Sequence, residues 1–383
     1  MPEHARNVVA VMLAGGQGER LCELTETICK PAVPFARGRR IVDWTMDNLV
    51  RMQAARVLVA TQYRPDALVD HLNARWRGGL ARGVLAIRDG VSVTGQARGY
   101  VGTADAVTRN LAEIATEAPD VVLVVAADHV CRMNYDRMIA AHRASGRPVS
   151  VAVDRVSVDQ ARAFGVIDMD AGGGVTAFTE KPRDPPGMAD DPNRALVSMG
   201  VYVFDWEWLR NTLVADRGNE VSSHDFGHDI LPGAVRAGEV QAFDAAAAHE
   251  RFYWRDVDTL DALRRVCIEL EAIAPPCATP PYPGRPHIVQ STLILPEGSV
   301  ALPGAMVSRG ARLRNAIIAP GAIVPGDLEV GYDPEVDARH FRVTPGGTVL
   351  VTPMMLARRS AGRMRAMLGP RAVVLSSARV AQQ

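Results

Sequence analysis

Long apolar runs are missing from this 383-residue chain. The longest, Val8 to Ala14 and Val121 to Ala127, fall far short of the ~20 residues a membrane-spanning helix needs. The opening stretch MPEHARNVVAVMLAGG lacks signal-peptide architecture, so a soluble, cytoplasmic protein with no membrane association is expected. Cysteine is scarce and odd in number. Cys22, Cys29, Cys131, Cys267 and Cys277 contain no C-x-x-C pair, which argues against a disulfide framework or structural zinc and for reduced thiols. Net charge is missing too: 43 Lys and Arg stand against 43 Asp and Glu, a balance unsuited to a nucleic-acid clamp. What remains is ordinary globular composition, 48% apolar and 22% charged, which excludes extensive disorder, collagen and coiled coil. The length calls for two domains.

Short apolar runs alternate with amphipathic stretches. NVVAVMLA (7–14) ends at Gly15, and RVLVAT (56–61), VVLVVA (121–126) and PVSVAV (148–153) follow, as strands buried on both faces of a sheet would. Residues 43–52 and 104–115 read as helices between them. This alternation predicts a doubly wound α/β domain with a mixed, Rossmann-like sheet, and further strands are expected at 164–169, 175–179 and 199–204 before a helix over 260–273. In such sheets ligands bind beyond the carboxyl ends of the strands, which puts the loops starting at Gly15 and Asp128 on one mouth. The segment APPCATPPYPGRP, 274–286, has six prolines in thirteen residues and reads as a stiff linker. The expected division is therefore 1–273, a linker at 274–286, a second domain at 287–356 and an Arg- and Ala-rich tail at 357–383. Every sixth residue from Ile294 gives Ile294, Val300, Met306, Arg312, Ile318, Val324 and Val330, apolar except for Arg312. With the glycine turns between them, that period predicts a hexapeptide β-helix of about two coils. An irregular Gly/Pro-rich β-sandwich is the alternative.

Three constellations carry chemistry. In LAGGQGERLCELTETICKPAVPF (13–35), glycines after a buried strand let backbone N–H groups approach phosphate oxygens, and Arg20 and Lys30 add two cations. Counted from Gly16, the third glycine of a dinucleotide fingerprint falls on Leu21, and no GK[ST] follows. Asp128, in VVAADHV, leaves the end of a central strand. A carboxylate there suits Mg²⁺, which binds through one or two carboxylates plus substrate phosphates, although a helix N-cap is an equal reading. Asp256, in FYWRDVDTL, is a second carboxylate from a distant segment. In FTEKP (178–182), Lys181 and Glu180 at a strand end suit a phosphate and sugar hydroxyls.

In this order, the three constellations resemble the sugar nucleotidyltransferase family of bacterial ADP-glucose pyrophosphorylases (glucose-1-phosphate adenylyltransferases). The likeness extends through TQYRPDALVDHL (61–72), GYVGTADAVTRNL (99–111), AADHVCRMNYDRM (126–138), AFGVIDMD (163–170), SMGVYVFD (198–205), SSHDFGHDILP (222–232) and YWRDVDTL (253–260). It implies a left-handed β-helix for the C-terminal hexads. It also implies transfer of a nucleotidyl group to a sugar-1-phosphate with release of pyrophosphate, the enzyme chiefly aligning two anions and neutralising their repulsion. By resemblance, Arg20 and Lys30 clamp the triphosphate and Asp128 acts with them, while Asp128 and Asp256 hold Mg²⁺. Leu13, Ala14, Gly15, Gly16, Gly18, Gly102 and Thr103 would form the nucleotide bed. Tyr100, Gly165, Glu180, Lys181 and Ser198 would contact the sugar phosphate. A homodimer or homotetramer is expected by the same analogy.

Departures bear on substrate choice. Adenylyl-transferring relatives carry Pro-Ala-Gln-Gln before the GTADA motif, and this chain has LAIRDGVSVTGQARGYVGTADA (85–106) instead. Asp89 is an acceptor suited to guanine. A lysine that holds an anionic activator in some relatives is Thr27 here. Glucose-1-phosphate with ATP follows the nearest resemblance. GTP with a cyclitol-1-phosphate, as in a valienol-1-phosphate guanylyltransferase, follows the altered base segment. A catalytically silent regulatory subunit is a third reading.

Overall fold

A computed structural model describes residues 8–80, 84–250, 252–272 and 292–368. The proline-rich linker and the end of the tail, 369–383, lie outside the described residues. The chain forms two compact units that do not follow chain order. The first takes residues up to Gln17, Thr27–Ala32 and Ile41–Asp256, and the second takes Gly18–Glu26, Val33–Arg40 and the chain from Val257 onward.

The first unit is built on a nine-stranded mixed sheet. Its strands are β1 (Val8–Ala14), β2 (Arg56–Thr61), β3 (Val84–Asp89), β4 (Val121–Ala126), β6 (Val149–Ser157), β7 (Gly165–Met169), β8 (Val175–Glu180), β9 (Arg194–Asp205) and β10 (Val240–Asp244). A separate two-stranded ribbon pairs β5 (His129–Arg132) with β11 (Tyr253–Asp256). The main path runs β8-β7-β9-β4-β1-β2-β3, with β6 on β9 and β10 on β6. The expected strands all form. Sequence periodicity did not give β3, whose six residues mix apolar and charged side chains, or β10. β1 to β4 are mutually parallel along the path, whereas β9 runs antiparallel to both β4 and β6.

Two apolar layers enclose this sheet. Alternate residues of β1 face opposite sides, Val8, Ala10 and Met12 joining one cluster and Val9 and Val11 the other. Helix α1 (Val42–Met52) adds Val42, Met46 and Leu49 to the first layer, and α2 (Asp66–Arg75) adds Leu68 and Leu72. On the opposite face, α3 (Trp206–Arg217) contributes Trp206, Leu209 and Leu213. The stretch 104–115, read as one helix, is two short ones, Thr103–Thr108 and Leu111–Ala115, separated at Arg109–Asn110.

In the second unit, helix α4 (Leu260–Ala272) packs against a five-stranded sheet of order β12-β13-β16-β20-β19. These strands are Leu293–Leu295, Ser299–Ala301, Ala316–Ile318, Val349–Val351 and Arg342–Val343 in that order. Two further parallel pairs, β14 (Met306–Val307) with β17 (Ile323–Val324) and β15 (Arg312–Leu313) with β18 (Glu329–Val330), complete the coils of a short β-helix. Successive coils are offset by 17 residues, so Ala301 lies beside Ile318, Val307 beside Val324 and Leu313 beside Val330.

That offset corrects the six-residue ladder. Its second half is right: Ile318, Val324 and Val330 are buried. In the first half Val300 is buried, although it lies beside Ile317 and not Ile318; Met306 is 57% exposed and Arg312 points to solvent, and the inward positions there are Val307 and Leu313. Between Leu313 and Ile318 the spacing drops to five, where Asn315 takes a left-handed turn at φ 48°. One shortened hexad thus shifts the whole earlier phase by a residue.

Candidate active site

The parallel strands bring their carboxyl ends to one edge. Ala14 lies beside Thr61, Thr61 beside Asp89, and Leu13 beside Ala126. Gly15, Gln62, Gly90 and Asp128 therefore emerge together from four neighbouring strands. A Cβ on Gly15 would meet that of Gln62 at 3.3 Å, whereas one on Gly16 would meet nothing within 4 Å. Gln62 is the fastener of this bed. Its Oε1 accepts the Tyr100 N–H at 2.6 Å and its Nε2 donates to the Tyr100 carbonyl at 3.1 Å. Gly90 and Gly99 make room for it, since a Cβ at either would lie 2.7 or 2.6 Å from Oε1. Asp89 caps the short helix Gly90–Thr94, accepting both the N–H and the hydroxyl of Ser92 at 2.9 Å.

The ribbon delivers the acidic pair. Asp256 stands opposite His129, the residue after Asp128. Lys30 Nζ lies 3.1 Å from Asp128 Oδ2 and 3.0 Å from Asp256 Oδ1, on a side chain only 2% exposed. Lys30 opens the tight turn Lys30–Ala32, between the buried Cys29 and Ala32. Burial pushes the ammonium down and the Asp128 carboxyl up, but attraction outweighs it. Asp128 and Asp256 hold Lys30 above its ordinary value, and Lys30 with His129 holds Asp128 below its own. Among the described residues, His129 Nδ1 and Trp254 Nε1 are buried without a hydrogen-bond partner. Their rings meet edge to face, 5.7 Å between centroids.

A third group forms around Gly102. Thr103 Oγ1 donates to Asp225 Oδ2 at 2.9 Å and accepts the Phe226 N–H at 3.0 Å. The His224 carbonyl accepts the N–H groups of Ala104 and Asp105. Lys181 Nζ lies 2.5 Å from Glu180 Oε1, at the end of β8, with Lys181 itself in the left-handed region at φ 44°. Glu180 passes over two glycines, since a Cβ on Gly227 or Gly165 would lie 2.6 or 3.0 Å from its Oε2. Ser198 is buried and its hydroxyl lies 3.2 Å from that of Tyr202. Tyr100 faces inward. Its hydroxyl donates to the Arg88 carbonyl and accepts from Asn110, both at 3.1 Å, and burial raises its pKa, while its backbone N–H and carbonyl are held by Gln62.

Gly18 and Arg20 belong to the second unit. Gly18 takes φ 74° and precedes the 3₁₀ segment Glu19–Thr25, and Arg20 is ion-paired with Asp258. Glu23 accepts from Arg342 of β19, Nη2 to Oε1 at 2.6 Å and Nε to Oε2 at 2.7 Å, which ties this segment to the β-helix sheet.

Sequence reasoning assigned no role to Gln62, Asp225, Tyr202 or Asp258. All four stand in quoted motifs, TQY, SSHDFG, SMGVY and YWRDVDTL, but apart from Ser198, which is bonded to Tyr202 within one motif, the partners that give them a role are backbone atoms or side chains that the fold brings near.

Two carboxylates facing one cation suit Mg²⁺, which takes one or two carboxylates and completes its octahedron with waters and phosphate oxygens. Among the described residues there is no group of three or more His, Cys, Asp and Glu able to form an all-protein metal cage. The donor set thus fits an ion shared with a phosphate-bearing substrate.

A glycine-lined strand edge with this acidic pair, carried on a mixed α/β sheet and followed by a hexapeptide coil, is the build of a nucleotidyltransferase. The family model described as "Nucleotidyl transferase" matches residues 9–272, and one described as "GlmU-like, C-terminal hexapeptide" matches residues 288–351. A glucose-1-phosphate adenylyltransferase of Jannaschia sp. is 36% identical over 93% of this chain and 97% of its own. Glucose-1-phosphate adenylyltransferase 2 of Alkalilimnicola ehrlichii is 37% identical over 92% and 95%, and that of Corynebacterium diphtheriae is 35% identical over 90% and 92%. The chain belongs to the glucose-1-phosphate adenylyltransferase and GlmU-like family of nucleotidyltransferases, enzymes with a Rossmann-like domain and a left-handed β-helix. No helix among the described residues is long and apolar enough to cross a membrane.

Proposed function

We propose that this enzyme joins a nucleoside triphosphate to a sugar-1-phosphate, giving a nucleoside-diphosphate sugar and pyrophosphate. The observation that carries this reading is the buried Lys30 ammonium within 3.1 Å of both Asp128 and Asp256. An oxygen of the sugar-1-phosphate forms a bond to the α-phosphorus, the bond from that phosphorus to the bridging oxygen breaks, and pyrophosphate leaves with the electron pair. No covalent enzyme intermediate is needed, so the chain's work is orientation and charge. Leu13, Ala14, Gly15, Gly16, Gly102 and Thr103 line the nucleotide, with Gln62 fastening the bed. Glu180, Lys181, Gly165, Ser198 and Tyr100 hold the sugar phosphate, Lys181 taking its charge. Lys30 counters the triphosphate. Asp128 and Asp256 hold Mg²⁺, which when bound supplies positive charge to the phosphate oxygens.

Glucose-1-phosphate with ATP is the pair by nearest likeness, since the relatives bear that name. One observation favours a second pair, GTP with a cyclitol-1-phosphate such as valienol-1-phosphate. Asp89, at the carboxyl end of β3, caps the next helix through Oδ2 and offers Oδ1 as an acceptor on the sheet edge that carries Gly15, where guanine presents an N–H donor. The deciding experiment is pyrophosphate release with Mg²⁺ from ATP and GTP, each with glucose-1-phosphate and valienol-1-phosphate. Turnover of one pair over the others selects the substrate. No turnover with any pair, from folded protein, makes the chain a silent regulatory subunit. Asp128→Asn abolishes turnover if the carboxylate holds the ion. We further propose a cytoplasmic homodimer or homotetramer. The side-by-side exposed Met306 and Ile323, 57% and 61% exposed, support it, and sedimentation velocity tests it.

A further inference from the structure

Lys30 is placed more tightly than a phosphate clamp requires. A cation that only met an arriving triphosphate would sit at the mouth with its head in water, as long basic side chains ordinarily do. This one is 2% exposed, begins a three-residue turn stiffened by Pro31, and has its ammonium between the two carboxylates suited to a divalent ion. Asp128's other oxygen is 3.7 Å from His129 Nε2, so both of its oxygens already face a nitrogen.

From this geometry we infer that Lys30 is a positioning residue that sets the order of assembly, holding Asp128 and Asp256 at one point while keeping their affinity for a bare divalent cation low, so that the ion binds together with the nucleotide. The inference rests on the transfer reaction proposed above and deepens it. A divalent ion that approaches the pair alone meets a fixed positive charge about 3 Å from each ligand oxygen, in a partly dehydrated site where that repulsion is poorly screened. A triphosphate changes the balance. Its oxygens supply further ligands to the ion and new acceptors to the ammonium, so Lys30 turns from carboxylates to phosphates by rotation about its own stem. Because the stem is buried, the ammonium exchanges one set of anions for another and does not move out into bulk water. Binding of ion and nucleotide is then positively coupled, and by linkage the coupling is reciprocal.

The test is Mn²⁺ binding to the full chain, followed by electron paramagnetic resonance of the free ion, with and without a non-hydrolysable triphosphate analogue, the Mn²⁺ that the analogue binds without protein being subtracted. Wild type is expected to bind Mn²⁺ weakly alone and at least about tenfold more tightly with the analogue. Lys30→Met is expected to bind Mn²⁺ alone about tenfold or more tighter than wild type, with most of the enhancement by the analogue gone. Lys30→Arg, which keeps the charge, stays near wild type. In Lys30→Met with Asp128→Asn the gain disappears. Equal or weaker Mn²⁺ binding by Lys30→Met with a native circular dichroism spectrum overturns the inference, as does a gain that survives Asp128→Asn. If Lys30→Met fails to fold, wild type decides alone: Mn²⁺ affinity that the analogue leaves unchanged overturns the inference. These readouts need no turnover, so a chain that failed every substrate pair would sink the proposed reaction without deciding this one.

Discussion

Gly102→Ala separates a glycine required by packing from one required by a ligand. Gly102 has φ −162°, which any residue adopts, so strain is not the issue. Space is: an added Cβ would lie 2.2 Å from the His224 carbonyl oxygen and 2.5 Å from that of Ser223, both backbone atoms. Ordinary contact needs about 3.4 Å, so the loop must retreat by about 1 Å. Four hydrogen bonds depend on its place, from Ala104 and Asp105 N–H to the His224 carbonyl and through Thr103 to Asp225 and Phe226. Overpacking costs about 1–3 kcal/mol and each weakened bond a fraction of about 1 kcal/mol, so a loss of about 3 kcal/mol is expected. In a unit of this size that lowers the melting midpoint by about 5–10 °C. Gly16→Ala is the control, since its Cβ meets nothing within 4 Å. It should melt within about 0.5 kcal/mol of wild type while raising KM for the triphosphate. Urea unfolding and initial rates give both numbers. Gly102→Ala that unfolds with wild type, or Gly16→Ala that unfolds as early as Gly102→Ala, refutes the assignment.

Leu313→Ala should cost the second unit about 2–5 kcal/mol and Met306→Ala under about 0.5 kcal/mol in urea unfolding, and the reverse order would restore the unbroken six-residue ladder. The ion cluster gives stability a pH dependence of known sign. Asp128 is depressed in the fold, so its contribution is full above about pH 4 and is lost as pH falls through its folded value. Lys30 is raised, so its contribution is full below about pH 10 and is lost as pH climbs through its folded value. Asp128→Asn should therefore flatten the acid limb of the unfolding midpoint against pH, and an acid limb of unchanged slope would show that the pair is not the cause. Gln62→Leu keeps the volume but removes both bonds to Tyr100, and is expected to raise KM for the triphosphate more than it lowers kcat. A pure kcat effect would place Gln62 elsewhere.

Elements of the first unit were legible where burial on both faces leaves a continuous apolar run. Such runs name β1, β2 and β4 without reference to partners. β3 was missed because an edge strand carries Arg88 and Asp89 in place of such a run, and its identity comes from register beside β2. The same distinction divides the site. Lys30, Asp128 and Asp256 were legible as charges near strand ends and glycine turns, and the fold then brings the two carboxylates within 3.1 Å of one ammonium. Gln62 was not, because its function is a pair of bonds to the backbone N–H and carbonyl of one residue 38 positions away. At Tyr100 the motif says nothing of the side chain's own partners, the Arg88 carbonyl and Asn110, which only the fold shows.

The β-helix shows how little sequence distance a change of phase needs. One residue lost between Leu313 and Ile318 leaves every hexad locally plausible, because a strand alternates its faces and Met306 and Val307 are equally apolar. Stacking decides between them. With the 17-residue offset, Val307 falls beside Val324 and Leu313 beside Val330, both buried, while the other phase would bring Arg312 into the core. Arg312 instead lies 2.5 Å from Glu329, its neighbour on the next coil, and over the ring of Tyr332. A guanidinium with an acid and an aromatic face on the outer wall stabilises one register and opposes its rival, in which the same charge would be buried without a partner. Arg312, the one polar residue of the sixfold ladder, was thus the sign that the ladder had slipped.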